Sequence, residues 1–223
     1  MQITPIFRDR FDAGRKLAER LTRFVQDPES LVLALPRGGV PVGFEVARAL
    51  HAELDIFLVR KLGLPGHEEL AIGAIASGGV RVLNEDLVKE LQLSRNLIEQ
   101  ITAREERELK RREGLYRRGR PPLPVRDRTV ILVDDGLATG ATMKAASRAL
   151  RLQGPGRIII AVPVAAKETC EEFRTDVDEV VCAYTPAPFI AVGIWYEDFS
   201  QTTDEEVQRL LELAERQTMV PRD

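Results

Sequence analysis

The stretch Val130–Thr142 reads VILVDDGLATGAT and joins an apolar run to two adjacent carboxylates and a loop rich in Gly and Thr. The apolar run, Thr129–Val133, is typical of a buried parallel strand, and a helix is predicted from about Thr142 to Gln153. Asp134 and Asp135, at the end of the strand, can each accept a hydrogen bond from one hydroxyl of a cis-diol. Peptide N–H groups at the start of the helix can bind an anion. A ligand that carries both a diol and a phosphate, such as a ribose phosphate, would explain both halves.

The loop that follows the acid pair consists of Ala138, Thr139, Gly140, Ala141 and Thr142. Its N–H groups can converge on a phosphate, and its two threonine hydroxyls add donors. An apolar strand that ends in acids also resembles the Walker B strand of nucleotide triphosphatases, but the chain has no GxxxxGK[ST] loop. An acidic turn that caps a helix would explain one acid or one threonine alone, and not the whole string.

Short apolar runs alternate with helical patterns, which predicts an α/β fold with a central, mostly parallel sheet and helices on both faces. Strands are expected at Ser30–Pro36, Leu54–Lys61, Thr129–Val133, Arg157–Ala165, Asp178–Pro186 and Phe189–Tyr196, with a hairpin joined at SGG within Glu69–Asn84. Helices are expected at Asp9–Phe24, Val42–His51, Asn84–Leu91, Arg95–Glu113, Thr142–Gln153, Lys167–Phe173 and from Thr203 onward. Residues 84–125 are expected to be a helical insertion that ends in a Pro-rich linker.

The loop after the first predicted strand reads PRGG. Gly38 and Gly39 allow backbone amides to approach a ligand closely, and Arg37 adds a fixed positive charge. Ligands of parallel sheets bind at the carboxyl ends of strands, where this loop and the acid pair both lie. A second phosphate site is therefore predicted here; a tight turn without a ligand is the alternative for this loop taken alone.

The second predicted strand ends in two basic residues, Arg60 and Lys61. Leu62–Glu69 follows and contains Gly and Pro, so it is expected to be a loop that could act as a lid. Solvated surface basics are the alternative for the pair. We expect His67 to be a solvent-facing loop residue rather than a catalytic base.

Composition limits the possible partners. The 223-residue chain has a hydrophobic fraction of 44%, a charged fraction of 30% and a formal net charge of -3, which gives no general attraction to nucleic acid. No apolar run approaches the roughly 20 residues that span a bilayer, and the N-terminal stretch lacks a secretory pattern, so a cytoplasmic location is expected. The basic stretch Arg104–Arg128 is expected to be a salt-bridged helix with a basic linker, contact with nucleic acid being the weaker alternative. Cys170 and Cys182 are expected to be reduced structural thiols, a disulfide or a reactive role being the alternatives.

The string VDDGLATGAT, with its preceding strand and following helix, resembles the phosphoribosyl pyrophosphate (PRPP) signature of type I phosphoribosyltransferases. PRGG resembles the pyrophosphate loop of that family, and LVRKLGLPG resembles the start of the mobile catalytic loop in its adenine-type members. FIAVGIWYEDF, at Phe189–Phe199, resembles the C-terminal hood of hypoxanthine-type members. The resemblance covers most of residues 30–200. It implies a single domain over residues 1–223, with the insertion at 84–125 and a hood formed by about residues 186–202 and the N-terminal segment.

The resemblance also implies an enzyme that joins a nitrogenous base to ribose 5-phosphate, releases pyrophosphate and uses Mg²⁺ as its cofactor. Asp134 and Asp135 would bind the ribose hydroxyls and would meet Mg²⁺ indirectly, through ribose and pyrophosphate oxygens. The other implied roles are 5-phosphate binding by Ala138, Thr139, Gly140, Ala141 and Thr142, pyrophosphate binding by Arg37, Gly38 and Gly39, catalysis by Arg60 and Lys61, and base binding by Trp195 and Tyr196. Packing in the core or at an interface is the alternative for the two aromatics.

Ala138 leaves the acceptor base open. Hypoxanthine-type enzymes have an Asp at this position, whereas adenine- and orotate-type enzymes have Ala. The alternative function is a non-catalytic, PRPP-binding regulatory protein on the same fold. A homodimer is a further expectation.

Overall fold

Eight strands divide between two sheets in the computed structural model, which describes residues 4–25 and 27–218. The strands are β1 Ser30–Ala34, β2 Glu53–Ile56, β3 Val59–Leu64, β4 His67–Ala76, β5 Val80–Leu83, β6 Thr129–Val133, β7 Arg157–Val164 and β8 Glu179–Tyr184. The central sheet has the order β2-β1-β6-β7-β8, and each neighbouring pair in it is parallel. The predicted α/β fold with a parallel central sheet is confirmed.

Helices cover both faces of the central sheet. The helices are α1 Arg10–Ala18, α2 Gly39–Leu50, α3 Glu85–Glu90, α4 Arg95–Arg117, α5 Ala141–Arg151, α6 Lys167–Phe173 and α7 Asp204–Thr218. Of these, α3 and α4 pack mainly on the second sheet, and α4 also on α7. Side chains of β1 and β6 alternate between two apolar cores, as the pleat of a strand requires. Val32 and Ile131 belong to the core that α1, α2, α4 and α7 cover. Leu33 and Leu132 belong to the core that α5 and α6 cover.

The second sheet is a three-stranded antiparallel meander with the order β3-β4-β5. The hairpin predicted within Glu69–Asn84 is confirmed, and its turn lies at Ser77–Gly79. The loop predicted at Leu62–Glu69 is wrong, because the chain remains extended there and turns only at Pro65–Gly66. Gly66 has a φ of 80°, which allows the tight turn that a longer loop was expected to make.

The single strand predicted at Leu54–Lys61 is also wrong, because the chain leaves the central sheet in its middle. The Phe57 N–H still donates to the Ala34 carbonyl at 2.9 Å, on the central sheet. The next N–H, that of Leu58, donates to the Ser77 hydroxyl at 3.0 Å, on the meander. The apolar pattern is the same on both sides of this switch, so the sequence does not mark it.

Helices α3 and α4 begin at the predicted residues. The Asn84 side chain accepts a hydrogen bond from the Leu87 N–H, and the Ser94 hydroxyl oxygen accepts one from the Leu97 N–H, both at 3.2 Å. Helix α4 carries ion pairs between neighbouring turns, as expected of a salt-bridged helix: Lys110–Glu106, Arg111–Glu108, Arg112–Glu108 and Arg117–Glu113. Its apolar side packs into the main core, where α4 contacts β3 and β4 of the meander and helix α7.

The segment Phe189–Tyr196 is not the predicted strand. It contains a 3-10 turn at Gly193–Trp195, and its main chain pairs with the N-terminal segment instead of a sheet. The Trp195 carbonyl accepts hydrogen bonds from the Ile6 and Phe7 N–H groups at 2.9 and 3.0 Å. The predicted helix Asp9–Phe24 ends at Ala18, and a separate 3-10 turn follows at Thr22–Phe24.

Cys170 and Cys182 form a disulfide, so the expectation of reduced thiols is wrong. Helix α6 packs against strand β8, and this packing brings the two Cα atoms to 6.7 Å. A spacing of 12 residues gives no sign of this contact, which depends on the packing of α6. Within the part of the chain that the structure describes, no helix is both long and apolar enough to cross a membrane.

Candidate functional site

The loops after β1 and β6 meet at the carboxyl edge of the sheet because the two strands are direct neighbours. Ala34 and Val133, the last residues of these strands, are register partners. The Leu35 N–H donates to the Val133 carbonyl at 2.8 Å and extends the pairing into the loops. The structure therefore brings together the predicted pyrophosphate loop and the predicted acid pair.

Two glycines allow the first loop to pack directly on the acid pair. A Cβ atom on Gly38 would collide with the Asp135 carboxylate. A Cβ atom on Gly39 would lie 2.8 Å from the Val133 carbonyl oxygen and 3.2 Å from Asp134 Oδ1. Only glycine fits at such distances, so the two glycines are required for the loop to pack on the acid pair. Their close approach to a ligand stays a prediction.

The acid pair carries strongly interacting charges. The Asp135 N–H donates to Asp134 Oδ1 at 2.8 Å. Burial and then the negative charge of Asp135 raise the pKa of Asp134 well above its usual range. Burial also raises the pKa of Asp135, while the guanidinium of Arg10, whose Nε lies 2.9 Å from Asp135 Oδ2, opposes that rise. Carboxylates this poorly solvated gain free energy from further donors or a cation, which ribose hydroxyls and a divalent ion can provide.

The loop of residues 138–142 is anchored by α6 and ends in a helix. The Thr169 hydroxyl of α6 donates to the Ala138 carbonyl at 2.8 Å. Gly140 adopts a φ of 68°, and a Cβ atom there would lie 2.6 Å from Phe173 Cε2. Helix α5 starts at the next residue, so its first peptide N–H groups belong to this loop. Such an arrangement can bind an anion, and the 5-phosphate role stays a prediction.

The predicted pyrophosphate loop lies at the N-terminus of α2. This helix begins at Gly39, three residues earlier than the sequence pattern predicted, and the Pro36–Arg37 peptide before it is cis. Arg37 Nη1 lies 3.5 Å from Asp204 Oδ1, on the first turn of α7. The Tyr116 hydroxyl donates to the same oxygen at 2.7 Å. Arg37 thus has an internal partner that an anionic ligand would have to replace.

The family of phosphoribosyl transferase domains matches residues 6–196, a range that includes both loops and the acid pair. The chain belongs to this family, and the predicted recognition is confirmed. Two relatives are provisionally named phosphoribosyl transferases, from Mycobacterium tuberculosis strains CDC 1551 / Oshkosh and ATCC 25618 / H37Rv. Each is 47% identical to this chain over 211 residues. The matched region is 95% of this chain and 47% of each relative. The chain thus spans about half the length of the curated relatives it matches. The crystal structure of the Thermus thermophilus protein TT1426 is 45% identical, has a TM-score of 0.81, and is matched over 92% of this chain and 97% of that one.

The predicted catalytic basics of this phosphoribosyl transferase domain lie on β3, in the meander and not in the central sheet. Arg60 donates from Nε and Nη2 to Glu105 Oε2, at 2.9 and 2.6 Å. Glu105 is a buried residue of α4 and also accepts a hydrogen bond from Arg104. Lys61 is exposed. Arg60 is therefore held by an ion pair with Glu105, while the side chain of Lys61 lies in solvent.

The two aromatics predicted to bind the base are buried in a small cluster around Phe7. Trp195 is 7% exposed and Tyr196 is 4% exposed. The Tyr196 hydroxyl donates to the Asp135 main-chain carbonyl at 2.6 Å. Tyr196 thus helps to hold the backbone of the acid pair in place. More exposed apolar side chains of the hood are Phe199 and Ile190, which are 37% and 68% exposed. These are better placed to meet a ligand surface.

Sequence reasoning missed Arg10, Glu105 and Asp204. Each forms an ion pair with a predicted site residue, namely Asp135, Arg60 and Arg37 in that order. The partners are separated by 125, 45 and 167 residues along the chain, as their numbers show. Nothing in the local pattern around these three residues distinguishes them from other charged helix positions, so no sequence signal could have found them.

Proposed function

We propose that this domain transfers the phosphoribosyl group of PRPP to a nitrogenous base in the presence of Mg²⁺ and releases pyrophosphate. The contact of Gly38 and Gly39 with the acid pair Asp134–Asp135 carries the proposal. It sets a backbone anion loop beside two carboxylates, and the loop of residues 138–142 continues from those carboxylates toward a helix N-terminus. A ligand with a pyrophosphate, a diol and a second phosphate on one ribose matches this order.

The residues fit Mg²⁺ when the substrate provides part of its coordination. Within residues 4–25 and 27–218, no group of three or more His, Cys, Asp or Glu side chains could hold a metal ion by itself. Mg²⁺ is usually held by one or two carboxylates together with substrate phosphates, and Asp134 and Asp135 fit that role directly or through the ribose hydroxyls. When bound, the ion neutralises charge on the pyrophosphate group.

In the proposed reaction, a nitrogen of the base bonds to C1 of the ribose while the bond from C1 to pyrophosphate breaks. The loop of residues 138–142 holds the 5-phosphate, and the acid pair holds the ribose hydroxyls, so C1 is fixed between the base and the leaving group. Arg37 leaves Asp204 and binds the pyrophosphate group. Lys61, on β3, approaches the same group. Positioning and charge stabilisation would provide most of the rate enhancement.

A regulatory protein that binds PRPP without turnover is the second candidate. Two basic residues predicted to neutralise pyrophosphate, Arg37 and Arg60, are paired with Asp204 and Glu105. Basic side chains that keep protein partners would neutralise a leaving group less well, which favours binding without turnover. This candidate shares the PRPP site, so binding alone does not distinguish it from the enzyme.

Incubation with Mg²⁺, PRPP and a panel of purines, pyrimidines and nicotinate, followed by assay of pyrophosphate release, distinguishes the two candidates. We expect release with one base or one class of base. Tight PRPP binding without release on any base would support the regulatory protein. If PRPP does not bind at all, both candidates are rejected.

The double variant Asp134→Asn with Asp135→Asn tests the diol site. PRPP affinity should fall by about a hundredfold, since each lost charged hydrogen bond costs about 1.5 kcal/mol. A matched control replaces two exposed acids, Asp86→Asn with Asp176→Asn, and should bind normally. Unchanged affinity in a folded acid-pair variant would refute the ribose assignment.

The proposal extends to a cytoplasmic location and to a homodimer. The location is checked by fractionation of the source cells, with the protein expected in the soluble cytoplasmic fraction. The oligomeric state is checked by light scattering on the purified chain, with a mass of twice 24.9 kDa expected. A single-chain mass would reject the dimer without affecting the proposed chemistry.

A further inference from the structure

Arg10, the first residue of α1, touches three parts of the proposed site at once. Its Nε donates to Asp135 Oδ2 at 2.9 Å, and the same nitrogen lies 3.1 Å from the position of a Cβ atom on Gly38. Its Nη1 donates to the Ser200 carbonyl of the hood at 2.6 Å. Its guanidinium carbon lies 3.9 Å from the centre of the Phe199 ring. The ribose acids, the pyrophosphate loop and the hood therefore meet at one side chain.

The guanidinium is held in a fixed orientation. The side chain is only 11% exposed, and that of Asp135 is 17% exposed. Edge nitrogens bind the carboxylate and the carbonyl, while the flat face covers an aromatic ring. A planar guanidinium can make these contacts together, whereas the single ammonium of a lysine cannot.

Asp135 is linked to the hood by a second route. The Tyr196 hydroxyl donates to the Asp135 main-chain carbonyl at 2.6 Å, and the Tyr196 ring lies 5.0 Å from the Phe199 ring, centre to centre. Phe7 packs on the other side of Tyr196, at 5.0 Å between ring centres. The side chain and the main chain of Asp135 are thus both held by groups that contact Phe199.

We infer that Arg10 is a positioning residue that couples the ribose-binding acids to the hood. The inference rests on the proposed function, because it assumes that PRPP binds at Asp134 and Asp135. A ribose hydroxyl that donates to Asp135 changes the hydrogen bond between Asp135 and Arg10. The guanidinium transmits that change to Ser200 and Phe199, so occupation of the sugar site sets the position of the exposed aromatic beside the acceptor space.

The experiment uses the full chain and follows PRPP with Mg²⁺ by calorimetry and by tryptophan fluorescence. Trp195 is the single tryptophan of the sequence and lies in the hood, so its emission reports on that element. In the unmodified protein, PRPP should bind and change the emission. In Arg10→Gln, affinity should fall by about tenfold or more, because Asp135 is no longer held in the orientation that accepts a charged hydrogen bond from the ribose, and the emission change should be absent even at saturation.

Arg10→Lys separates charge from geometry. This variant keeps a cation near Asp135 but loses the several N–H donors and the planar face of the guanidinium. It should therefore recover part of the PRPP affinity and none of the emission change. Arg15→Gln is the matched control on the same helix, because Arg15 pairs with Asp12 and Glu45, away from the acid pair. It should retain both signals. A normal emission change in saturated Arg10→Gln would overturn the inference.

A double-mutant cycle with Asp135→Asn distinguishes positioning from general destabilisation. If Arg10 acts through Asp135, Arg10→Gln should cost no further PRPP affinity in the Asp135→Asn background. Equal losses in both backgrounds would overturn the coupling while leaving the proposed function intact. Absence of PRPP binding in the unmodified protein would instead reject the proposed function, and the inference with it.

Discussion

Arg37 and Asp204 form an ion pair that ties the predicted pyrophosphate loop to the first turn of α7, with Arg37 Nη1 3.5 Å from Asp204 Oδ1. Their side chains are 34% and 39% exposed, and pairs of this kind contribute about 0–1 kcal/mol. The bond is therefore weak enough for a pyrophosphate group to replace. The C-terminal helix, which lies beyond the matched residues 6–196, thus contributes a competing carboxylate to the site.

We expect Asp204→Asn to increase PRPP affinity, because it removes the carboxylate that competes for Arg37. The gain should be at most about fivefold, which corresponds to an exposed ion pair of about 1 kcal/mol. Calorimetric titration with PRPP and Mg²⁺ measures it. Glu205→Gln removes a neighbouring exposed charge from the same turn and should have little effect. An equal gain in that control would show that net charge, and not the pair, is responsible.

Asp134→Asn should stabilise the free protein at neutral pH while weakening PRPP binding by about tenfold, one charged hydrogen bond being lost. Burial and the charge of Asp135 raise the pKa of Asp134 in the folded state, so folding favours its protonated form. The ionised Asp134 therefore lowers the free energy of unfolding. This loss is absent below the unfolded pKa of about 3.9 and grows as the pH rises toward the folded pKa. Thermal unfolding should therefore show a higher midpoint for the variant at pH 7, and no difference near pH 3.

Asp178→Asn should have the opposite effect on stability. Burial alone would raise the pKa of Asp178, but hydrogen bonds from the Ile158 N–H and from Arg151 hold it below its usual value. The contribution of this carboxylate is present above the unfolded pKa and is lost as the pH falls through the lowered one. The variant should thus unfold at a lower temperature at pH 7. The same sign of change in both aspartate variants would contradict the proposed origin of the two shifts.

Reduction of the Cys170–Cys182 disulfide should lower the free energy of unfolding by about 3 kcal/mol, from the chain entropy of a closed loop of this length. Helix α6 also carries Thr169 and Phe173, which contact the loop of residues 138–142, so PRPP affinity should fall as well if that loop binds the 5-phosphate as proposed. Denaturant titration and calorimetry with and without a dithiol reductant measure both effects. Cys182→Ser should match the reduced protein and should not respond to reductant. Equal stability of the oxidised and reduced chains would contradict the expectation.

The parts of the fold that sequence predicted well are those decided by local pattern. The strand Thr129–Val133 and the helix Lys167–Phe173 have the predicted ends. A continuous apolar run such as that of the strand can be buried only inside a covered sheet. The errors lie where tertiary hydrogen bonds decide. The chain changes sheets between Phe57 and Leu58, and Phe189–Tyr196 pairs with the N-terminal segment, within runs that look like ordinary strands.

The site follows the same division. Loops predicted to bind ligand groups through their own backbone, such as Arg37–Gly39 and residues 138–142, can be recognised because their residue types are adjacent in sequence. Arg10, Asp204 and Glu105 act through side chains that the fold brings from distant segments, so they became visible only in the structure. Sequence thus predicts the groups expected to touch PRPP better than the groups that hold those residues in place.

Arg60 and Lys61, which are adjacent on β3, should differ in their effects on stability and on pyrophosphate release. Arg60→Met should lower the free energy of unfolding by about 1–3 kcal/mol, because Glu105 is buried and loses two hydrogen bonds, while that from Arg104 remains. Lys61→Met should leave stability unchanged, because its side chain is exposed, but should slow pyrophosphate release if Lys61 meets the leaving group. Denaturant titration and the release assay on both variants measure the two effects, with Lys89→Met as the exposed-lysine control. Normal release by Lys61→Met would remove this residue from the proposed catalytic set, and a stable Arg60→Met that releases pyrophosphate slowly would assign the catalytic role to Arg60 instead.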